Sequence, residues 1–171
     1  MAISFHYAHG VPVTVVRPFN TYGPRQSARA VIRTIIIQLL TGKRRIRLGS
    51  LSPTRDFNYV ADTCAGFLAL AGCEAATGQT VNIGSDTEIS IGDIARPSQS
   101  WSESNWRSKP TKERLRPTDS EVERLHCDNS RIRELTGFKP QTGLEEGLRK
   151  TIEWFRKPEN LARYDAEIYN V

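Results

Sequence analysis

One segment, a β-branched run that stops at an arginine and a turn rich in proline and glycine, constrains the fold of this chain most. The run is Val11–Val16 (Val-Pro-Val-Thr-Val-Val), and Arg17–Arg25 (Arg-Pro-Phe-Asn-Thr-Tyr-Gly-Pro-Arg) follows it. Its valines predict a buried strand covered on both faces, as in a parallel sheet, and Pro18 ends the pairing because it has no N–H. Polar groups then collect at the carboxyl end of the strand, where open α/β sheets bind ligands. An ordinary strand and tight turn would give the same local pattern.

Helical and strand patterns alternate along the rest of the chain, which predicts an α/β fold. Predicted helices cover residues 1–10, 28–41, 61–73 and 130–137, a long helix starts at the capping box of residues 142–145, and predicted strands cover residues 45–48, 54–60 and 80–83. Phe57 and Tyr59 alternate with polar residues, so the segment over 54–60 is expected to be half-buried. In the helix over 61–73, Phe67, Leu68 and Leu70 are the expected packing residues.

Composition excludes several classes of protein. The 171 residues are 38% hydrophobic and 25% charged, which predicts an ordinary globular chain. No apolar run approaches the roughly 20 residues that span a bilayer, and the first residues do not resemble a secretory signal. We therefore expect a cytoplasmic protein without a membrane partner. Cys64, Cys73 and Cys127 are not closely spaced, which predicts buried thiols and neither a metal site nor a disulfide.

The net charge of +5 comes mostly from arginine, with 18 arginines against 6 lysines. A phosphate-bearing partner is therefore worth considering. Nucleic acid is not the expected one, because the arginines are interspersed with acids and the basic run Lys43–Arg45 is short. That run is better explained as a solvated turn.

Two further motifs accompany the first segment. They are Thr54–Asp62 (Thr-Arg-Asp-Phe-Asn-Tyr-Val-Ala-Asp) and Arg116–Val122 (Arg-Pro-Thr-Asp-Ser-Glu-Val). Together with Arg17–Arg25, they closely resemble the second half of extended short-chain dehydrogenase/reductases that act on nucleotide sugars, the NAD-dependent epimerase/dehydratase family. Within that family the chain is most similar to sugar-nucleotide 4,6-dehydratases. The resemblance runs from Met1 to about Phe155 and breaks over residues 96–112.

The resemblance assigns roles to six residues, namely Pro18, Asn20, Arg25, Arg55, Arg116 and Asp119. It implies that the proline lies against the nicotinamide of NAD. The other five would bind a nucleotide-diphosphate sugar, the aspartate through the ribose hydroxyls. The chemistry agrees, because a guanidinium contacts two phosphate oxygens at once and a carboxylate accepts two hydroxyl donors. Surface ion pairs would also explain Arg55 and Arg116.

The family's catalytic pattern Tyr-x-x-x-Lys and its Gly-rich cofactor turn are absent from the 171 residues. The expected fold is therefore α/β, a partial Rossmann-like extended short-chain dehydrogenase/reductase, C-terminal half only. Residues 1–156 would form the truncated substrate-binding portion, with an irregular loop over 96–112, and residues 157–171 a tail. The expected function is the nucleotide-sugar binding portion of an NAD-dependent sugar-nucleotide 4,6-dehydratase or epimerase, inactive alone. No residue of the chain is expected to be catalytic, and NAD binding is expected of the complete enzyme.

Other functions and a second origin for the irregular segment stay open. The chain fits a non-catalytic binding module, and it fits an interaction protein that completes another chain's sheet. An unpaired edge on Val11–Val16, with uncovered apolar faces on Ile3, Phe5 and the helix over 28–41, predicts a homodimer or larger homo-oligomer. Residues 96–112 are either a Ser-rich loop or the product of a local change of reading frame, which the gene's codons would decide.

Overall fold

A computed structural model of the protein describes residues 1–27, 29–43, 45–95, 107–110 and 122–164. The chain forms two compact units, each made of three stretches of sequence. The first unit comprises Met1–Thr21, Asp56–Thr87 and His126–Leu144, and the second comprises Tyr22–Arg55, Glu88–Leu125 and Glu145–Val171. The sequence-based division into residues 1–156 and a 157–171 tail stays a prediction.

Helices and strands alternate, which confirms the α/β class. In chain order they are α1 (Ala2–His9), β1 (Val15–Pro18), β2 (Asn20–Tyr22), α2 (Val31–Leu40), β3 (Arg45–Leu48), β4 (Thr54–Arg55), β5 (Phe57–Tyr59), α3 (Val60–Ala71), β6 (Thr80–Ile83), β7 (Ile89–Ser90), α4 (Ile91–Ala95), β8 (Arg107–Pro110), β9 (Arg124–Leu125), α5 (Ser130–Thr136), α6 (Leu144–Arg156) and α7 (Pro158–Leu161). Within the described residues the strands pair as β1–β6, β2–β5, β3–β8 and β7–β4–β9. No described helix is long and apolar enough to cross a membrane.

Strand β1 lies in the first unit and runs parallel to β6, with Val15 opposite Thr80. The predicted parallel sheet is therefore confirmed. The predicted burial is wrong, because the first two residues of β1 are half-buried and its last two are exposed. A strand is fully buried only when helices cover both faces of its sheet and neighbouring strands cover both of its edges. Among the described residues β1 has the single neighbour β6.

Helix α3 packs through only one of the three residues that its sequence predicts. Leu70 is buried as expected, but Phe67 and Leu68 are 44% and 75% exposed. The inward face is set by Gly66, where a Cβ would lie 2.9 Å from the Cδ1 of Ile83 in β6. Asp62 is also buried, and its carboxylate accepts the backbone N–H groups of residues 141 and 142 at 3.0 Å each. Close packing at a glycine and a buried hydrogen-bonded carboxylate thus outweigh side-chain hydrophobicity.

The segment before α3 is more buried than its alternating pattern predicts. Asp56, Phe57, Asn58 and Tyr59 are all buried, with the two polar residues at 0% and 1% exposure. One polar atom of each polar side chain has a partner, since Asn58 donates its amide to the hydroxyl of Thr63 and Oδ1 of Asp56 accepts the N–H of Ser85, both at 2.8 Å. The expectation of a half-buried segment is therefore wrong for these four positions.

In the second unit, β4 is the central strand of a three-stranded sheet. Thr54 of β4 lies opposite Ser90 in antiparallel β7 and opposite Arg124 in parallel β9. Strand β3 pairs in parallel with β8, whose four residues lie inside the range predicted to be irregular. Pairing with an existing strand satisfies the backbone of β8 although its sequence carries no apolar pattern. The other residues over 96–112 lie outside the described part of the chain.

The two long helices of the second unit show the predicted apolar faces. In α2, the isoleucines at 32, 35, 36 and 37 are buried, so the apolar face expected to be open is covered. In α6, Leu148, Ile152 and Phe155 are buried as expected. The cysteines differ from the prediction, since Cys64 is exposed while Cys127 is buried, and all three are free thiols.

Candidate functional site

The carboxyl end of β1 carries the first two predicted site residues. Pro18 is exposed and has no N–H, and the ladder to β6 continues past it through the N–H of Phe19, which donates to the carbonyl of Ile83 at 2.8 Å. Asn20 begins β2, and its side-chain amide donates to the main-chain carbonyl of Asp56 at 3.1 Å. This bond holds the amide of Asn20 at the end of the parallel strand pair.

Arg25 lies in the turn that follows β2. Its backbone has a φ of 63°, in the left-handed region that residues other than glycine rarely adopt. The turn is closed by the N–H of Gln26, which donates to the carbonyl of Gly23 at 3.3 Å. The side chain of Arg25 is exposed. Holding a non-glycine residue in this conformation lowers the stability of the folded chain by about 1–3 kcal/mol, and such residues cluster at functional sites.

Arg55 is the last residue of β4, and its backbone is fixed by strands on both sides. It lies opposite Ile89 in β7 and Leu125 in β9. Its guanidinium Nη1 donates to the carbonyl of Thr54 at 2.8 Å, and the side chain is half-buried. A guanidinium on a central strand is held more rigidly than one on a loop, which suits recognition of a fixed anion.

A surface ion pair braces the same sheet. Glu88, just before β7, accepts two hydrogen bonds from Nε of Arg124 at 2.9 Å and a contact from its Nη2 at 2.8 Å. Thr54 also donates its hydroxyl to Glu88. Hydrogen bonding to Glu88, and then its negative charge, raise the pKa of the Arg124 guanidinium. These contacts join β7, β4 and β9 across the strand that carries Arg55.

A buried polar cluster behind Asn20 is absent from the sequence-based set of site residues. The Oδ1 of Asp56 accepts the N–H of Ser85 at 2.8 Å and its hydroxyl at 2.9 Å, and the amide of Asn129 donates to the carbonyl of Gly84 at 3.0 Å. The peptide that joins Gly84 and Ser85 is therefore held at both ends. Among the described residues, Asp56 Oδ2 and Asn129 Oδ1 have no hydrogen-bond partner. The one sequence feature that could have indicated this cluster is the motif Thr54–Asp62, which contains Asp56.

Cys127 packs against the same peptide. A Cβ on Gly84 would lie 2.6 Å from its sulfur. Burial, and then the negative charges of Asp56, Asp86 and Asp128, raise the pKa of the Cys127 thiol to about 12. The thiol therefore stays neutral over the physiological range, which excludes a role as a thiolate nucleophile at this position.

Stability is expected to fall as the pH rises from about 9 to about 12, because Cys127 loses its proton more readily in the unfolded chain than in the folded one. Below that window its contribution is fully present. For one proton the loss reaches about 1.4 kcal/mol per pH unit. Urea unfolding at a series of pH values checks this, and Cys127→Ala is expected to flatten the curve. Cys64→Ala, at an exposed thiol, is the matched control. Parallel curves for the wild type and Cys127→Ala would contradict the assignment.

The structure places the predicted site residues unevenly. Pro18 and Asn20 lie together at the end of β1 in the first unit, and Arg25 and Arg55 belong to the second. Arg116 and Asp119 lie outside the described residues. The described part of the chain holds no group of three or more His, Cys, Asp or Glu residues suited to a metal ion.

Comparison with known proteins gives one family and many relatives. Residues 1–151 match the GDP-mannose 4,6 dehydratase family. The UDP-N-acetyl-alpha-D-glucosaminuronate decarboxylase of Bacillus cytotoxicus is 35% identical over 156 residues, which are 88% of this chain and 48% of that protein. This chain thus spans about half the length of that relative.

Solved structures give the same result. An epimerase from Methanothermobacter thermautotrophicus superposes with a TM-score of 0.79 at 26% identity, over 94% of this chain and 48% of its own. A UDP-glucuronic acid 4-epimerase from Bacillus cereus, solved with UDP-glucuronic acid and NAD, superposes with a TM-score of 0.77 at 25% identity, over 90% of this chain and 48% of its own. The fold therefore corresponds to about half of an epimerase or dehydratase of the extended short-chain dehydrogenase/reductase type.

Proposed function

The chain belongs to the NAD-dependent epimerase/dehydratase family, and from that premise we propose that it is the nucleotide-sugar binding portion of a sugar-nucleotide 4,6-dehydratase or epimerase. The observation that carries the proposal is the side-chain amide of Asn20, which the carbonyl of Asp56 holds at the carboxyl end of a parallel strand. An amide fixed there offers a donor and an acceptor at the edge where α/β sheets bind ligands.

The proposal assigns the diphosphate of the ligand to the amide of Asn20 and to the guanidinium groups of Arg25, Arg55 and Arg116. Asp119 accepts the ribose hydroxyls. The ligand class is supported by the epimerase from Bacillus cereus, which was solved with UDP-glucuronic acid. Arginine suits this ligand because charge-assisted hydrogen bonds to phosphate are about twice as strong as neutral ones.

NAD fits one described residue of this chain. Pro18 is exposed at the end of β1 and presents a compact, rigid apolar ring with no N–H, which suits contact with a nicotinamide ring. When bound, NAD supplies acceptance and return of a hydride. The chain's own contribution is to position the sugar nucleotide beside that ring. Its 171 residues include neither Tyr-x-x-x-Lys nor a Gly-rich cofactor turn.

Calorimetric titration of UDP-glucose and dTDP-glucose into the purified chain tests this function. We expect binding of at least one of them, and weaker binding of the nucleoside monophosphate, which lacks the second phosphate. With added NAD, we expect no conversion of either sugar nucleotide, because no acid/base pair is present to move the proton. Turnover by the purified chain would contradict the inactive state, and the absence of any binding would contradict the binding role.

A second function is favoured by the free edge of β1. The N–H groups of Val15 and Phe19 point to β6, donating to the carbonyls of Gln79 and Ile83 at 2.9 and 2.8 Å. The N–H of Val16 therefore points to the other edge, which has no strand among the described residues. An open edge of this kind pairs with another chain. The chain is then an interaction protein that completes a partner's sheet.

The isolated chain is expected to self-associate, because the first unit carries both this open edge and the exposed aromatic side chains of Phe5 and Tyr7, at 52% and 77% exposure. Sedimentation at micromolar concentration should give an average mass above that of one chain. Phe5→Glu should lower it, whereas Val122→Glu, at a 50% exposed position of the second unit, should not. A stable wild-type monomer at this concentration would exclude the association.

A further inference from the structure

The segment that follows α6 folds back onto the end of that helix. We name residues 157–164, which include α7, the C-terminal strap. The last carbonyl groups of a helix have no partner within it, and the strap supplies one, because the side-chain amide of Asn160 donates to the carbonyl of Trp154 at 2.9 Å. Asn160 is buried. The strap lies beyond residues 1–151, which match the family, so the family pattern does not account for it.

Tyr164 ends the strap and contacts two helices. Its ring centroid lies 5.1 Å from that of Phe155 in α6, and the guanidinium carbon of Arg33 lies over the same ring, 5.0 Å from its centroid. Arg33 belongs to the first turn of α2 and is only 4% exposed. A guanidinium over an aromatic face at this distance is a cation–π contact, which is stronger where water is excluded. The strap therefore joins α6 to the start of α2.

The turn that carries Arg25 is held at both ends by α6 and the strap. Before the turn, Tyr22 is 1% exposed and packs so closely on α6 that a Cβ on Gly147 would overlap its hydroxyl. After the turn, α2 is held through Arg33, which lies under Tyr164. All of these residues belong to the second unit. A left-handed backbone at a residue other than glycine persists only where its surroundings hold it, and Arg25 has a φ of 63°.

We propose that Tyr164 is a positioning residue for Arg25. By holding Arg33, the ring of Tyr164 fixes the start of α2 and with it the left-handed turn, so that Arg25 is already placed when a diphosphate arrives. The proposal rests on the proposed function, in which Arg25 binds that diphosphate. A strap that only stabilised α6 would leave both the turn and the ligand affinity unchanged when the ring of Tyr164 is removed.

Amide hydrogen exchange of Gln26 tests the turn without any ligand, because this N–H donates to the carbonyl of Gly23 and closes the turn. In Tyr164→Leu, which stays apolar but lacks the aromatic face, we expect Gln26 to exchange at least about fivefold faster relative to the amides of α5. Tyr164→Phe keeps the ring and should restore the wild-type rate. Tyr7→Leu, the same substitution at an exposed tyrosine of α1, should leave the rate unchanged. An unchanged rate in Tyr164→Leu, or a rise that α5 shares equally, would overturn the proposal.

A double-mutant cycle with UDP-glucose tests the link between Tyr164 and Arg25. We expect Tyr164→Leu to weaken binding by roughly 3- to 10-fold, which is part of the loss that follows removal of a hydrogen bond to a charged group. In the Arg25→Ala background the same change should cause no further loss. Arg33→Met removes the cation–π contact from its other side, so it should behave as Tyr164→Leu does and replaces that variant if it does not fold.

The outcomes separate this proposal from the proposed function. A loss from Tyr164→Leu that persists undiminished in the Arg25→Ala background would overturn the positioning role, because the ring would then act on binding by another route. Wild-type affinity of Arg25→Ala itself would refute the ligand role of Arg25. The exchange rate of Gln26 would still decide whether Tyr164 holds the turn, so the two failures are distinguishable.

Discussion

Replacing Arg55 by alanine is expected to weaken binding of UDP-glucose or dTDP-glucose to this chain by roughly 10- to 150-fold. A hydrogen bond to a charged group contributes about 1.5–3 kcal/mol, and each 1.4 kcal/mol is a factor of ten in affinity. The backbone of Arg55 is fixed between β7 and β9, so the guanidinium is already positioned when the ligand arrives. Arg116→Ala is expected to have a loss of the same size, and the double variant a larger one.

Two further variants separate charge from geometry in the same titration. Arg55→Lys keeps the charge but loses the planar fork, so it should recover only part of the affinity. Arg149→Ala is the matched control, because Arg149 forms an exposed ion pair with Glu153 on α6 and such pairs contribute little. If Arg55→Ala and Arg116→Ala both bind with wild-type affinity, the assignment of the diphosphate site is wrong.

Gly84→Ala is expected to destabilise the protein by about 1–3 kcal/mol or more, the range for overpacking a well-packed interior. The added Cβ would lie 2.6 Å from the sulfur of Cys127 and 3.1 Å from Oδ1 of Asp56, and it would also press on the Cβ of Cys127. Neither neighbour can move easily. Asp56 is held by Ser85, and Cys127 is fully buried.

Urea unfolding measures this loss, and the chain offers both a control and a partial rescue. Gly143→Ala should change the free energy of unfolding by less than about 1 kcal/mol, because nothing lies within 4 Å of its added Cβ. Cys127→Gly, which removes the Cβ and the sulfur together, should recover part of the stability of Gly84→Ala. Equal stability of Gly84→Ala and Gly143→Ala would show that the Gly84 contact has room to relax.

Local signals in the sequence were sufficient to place α1, α2, α3, α5 and α6, whereas the short helices α4 and α7 were not predicted. Gly10 and Gly137 end α1 and α5 with φ of 66° and 69°, as glycine at the C-terminal end of a helix predicts. The hydroxyl of Ser90 accepts the N–H of Asp93 at 2.9 Å, a capping contact between residues three positions apart. These features depend on neighbours within a few residues, and for that reason the sequence reveals them.

Burial depended on partners far along the chain, and there the sequence was misleading. Asp56 is buried because Ser85, 29 residues away, supplies two donors to its carboxylate. Asp62 is buried because residues 141 and 142 supply two more. Phe67 and Leu68 stay exposed because Gly66 turns a different face of α3 to β6. A local sequence pattern carries no information on such distant pairings. The site residues that could be predicted are therefore those in the family motifs, and the buried cluster around Asp56 could not be predicted.

The most direct test of a nucleotide-sugar site in this chain is to titrate the 15N-labelled protein with UDP-glucose and to follow its amide chemical shifts by NMR. The side-chain amide of Asn20 and the backbone amides of Arg25 and Arg55 should shift progressively and saturate, because these residues are the ones assigned to the ligand. Backbone amides of α5, where no ligand contact is assigned, should not shift. Saturable shifts at Asn20 and Arg55 are the result that the account predicts. The absence of shifts at millimolar ligand, or shifts confined to other parts of the chain, would contradict it.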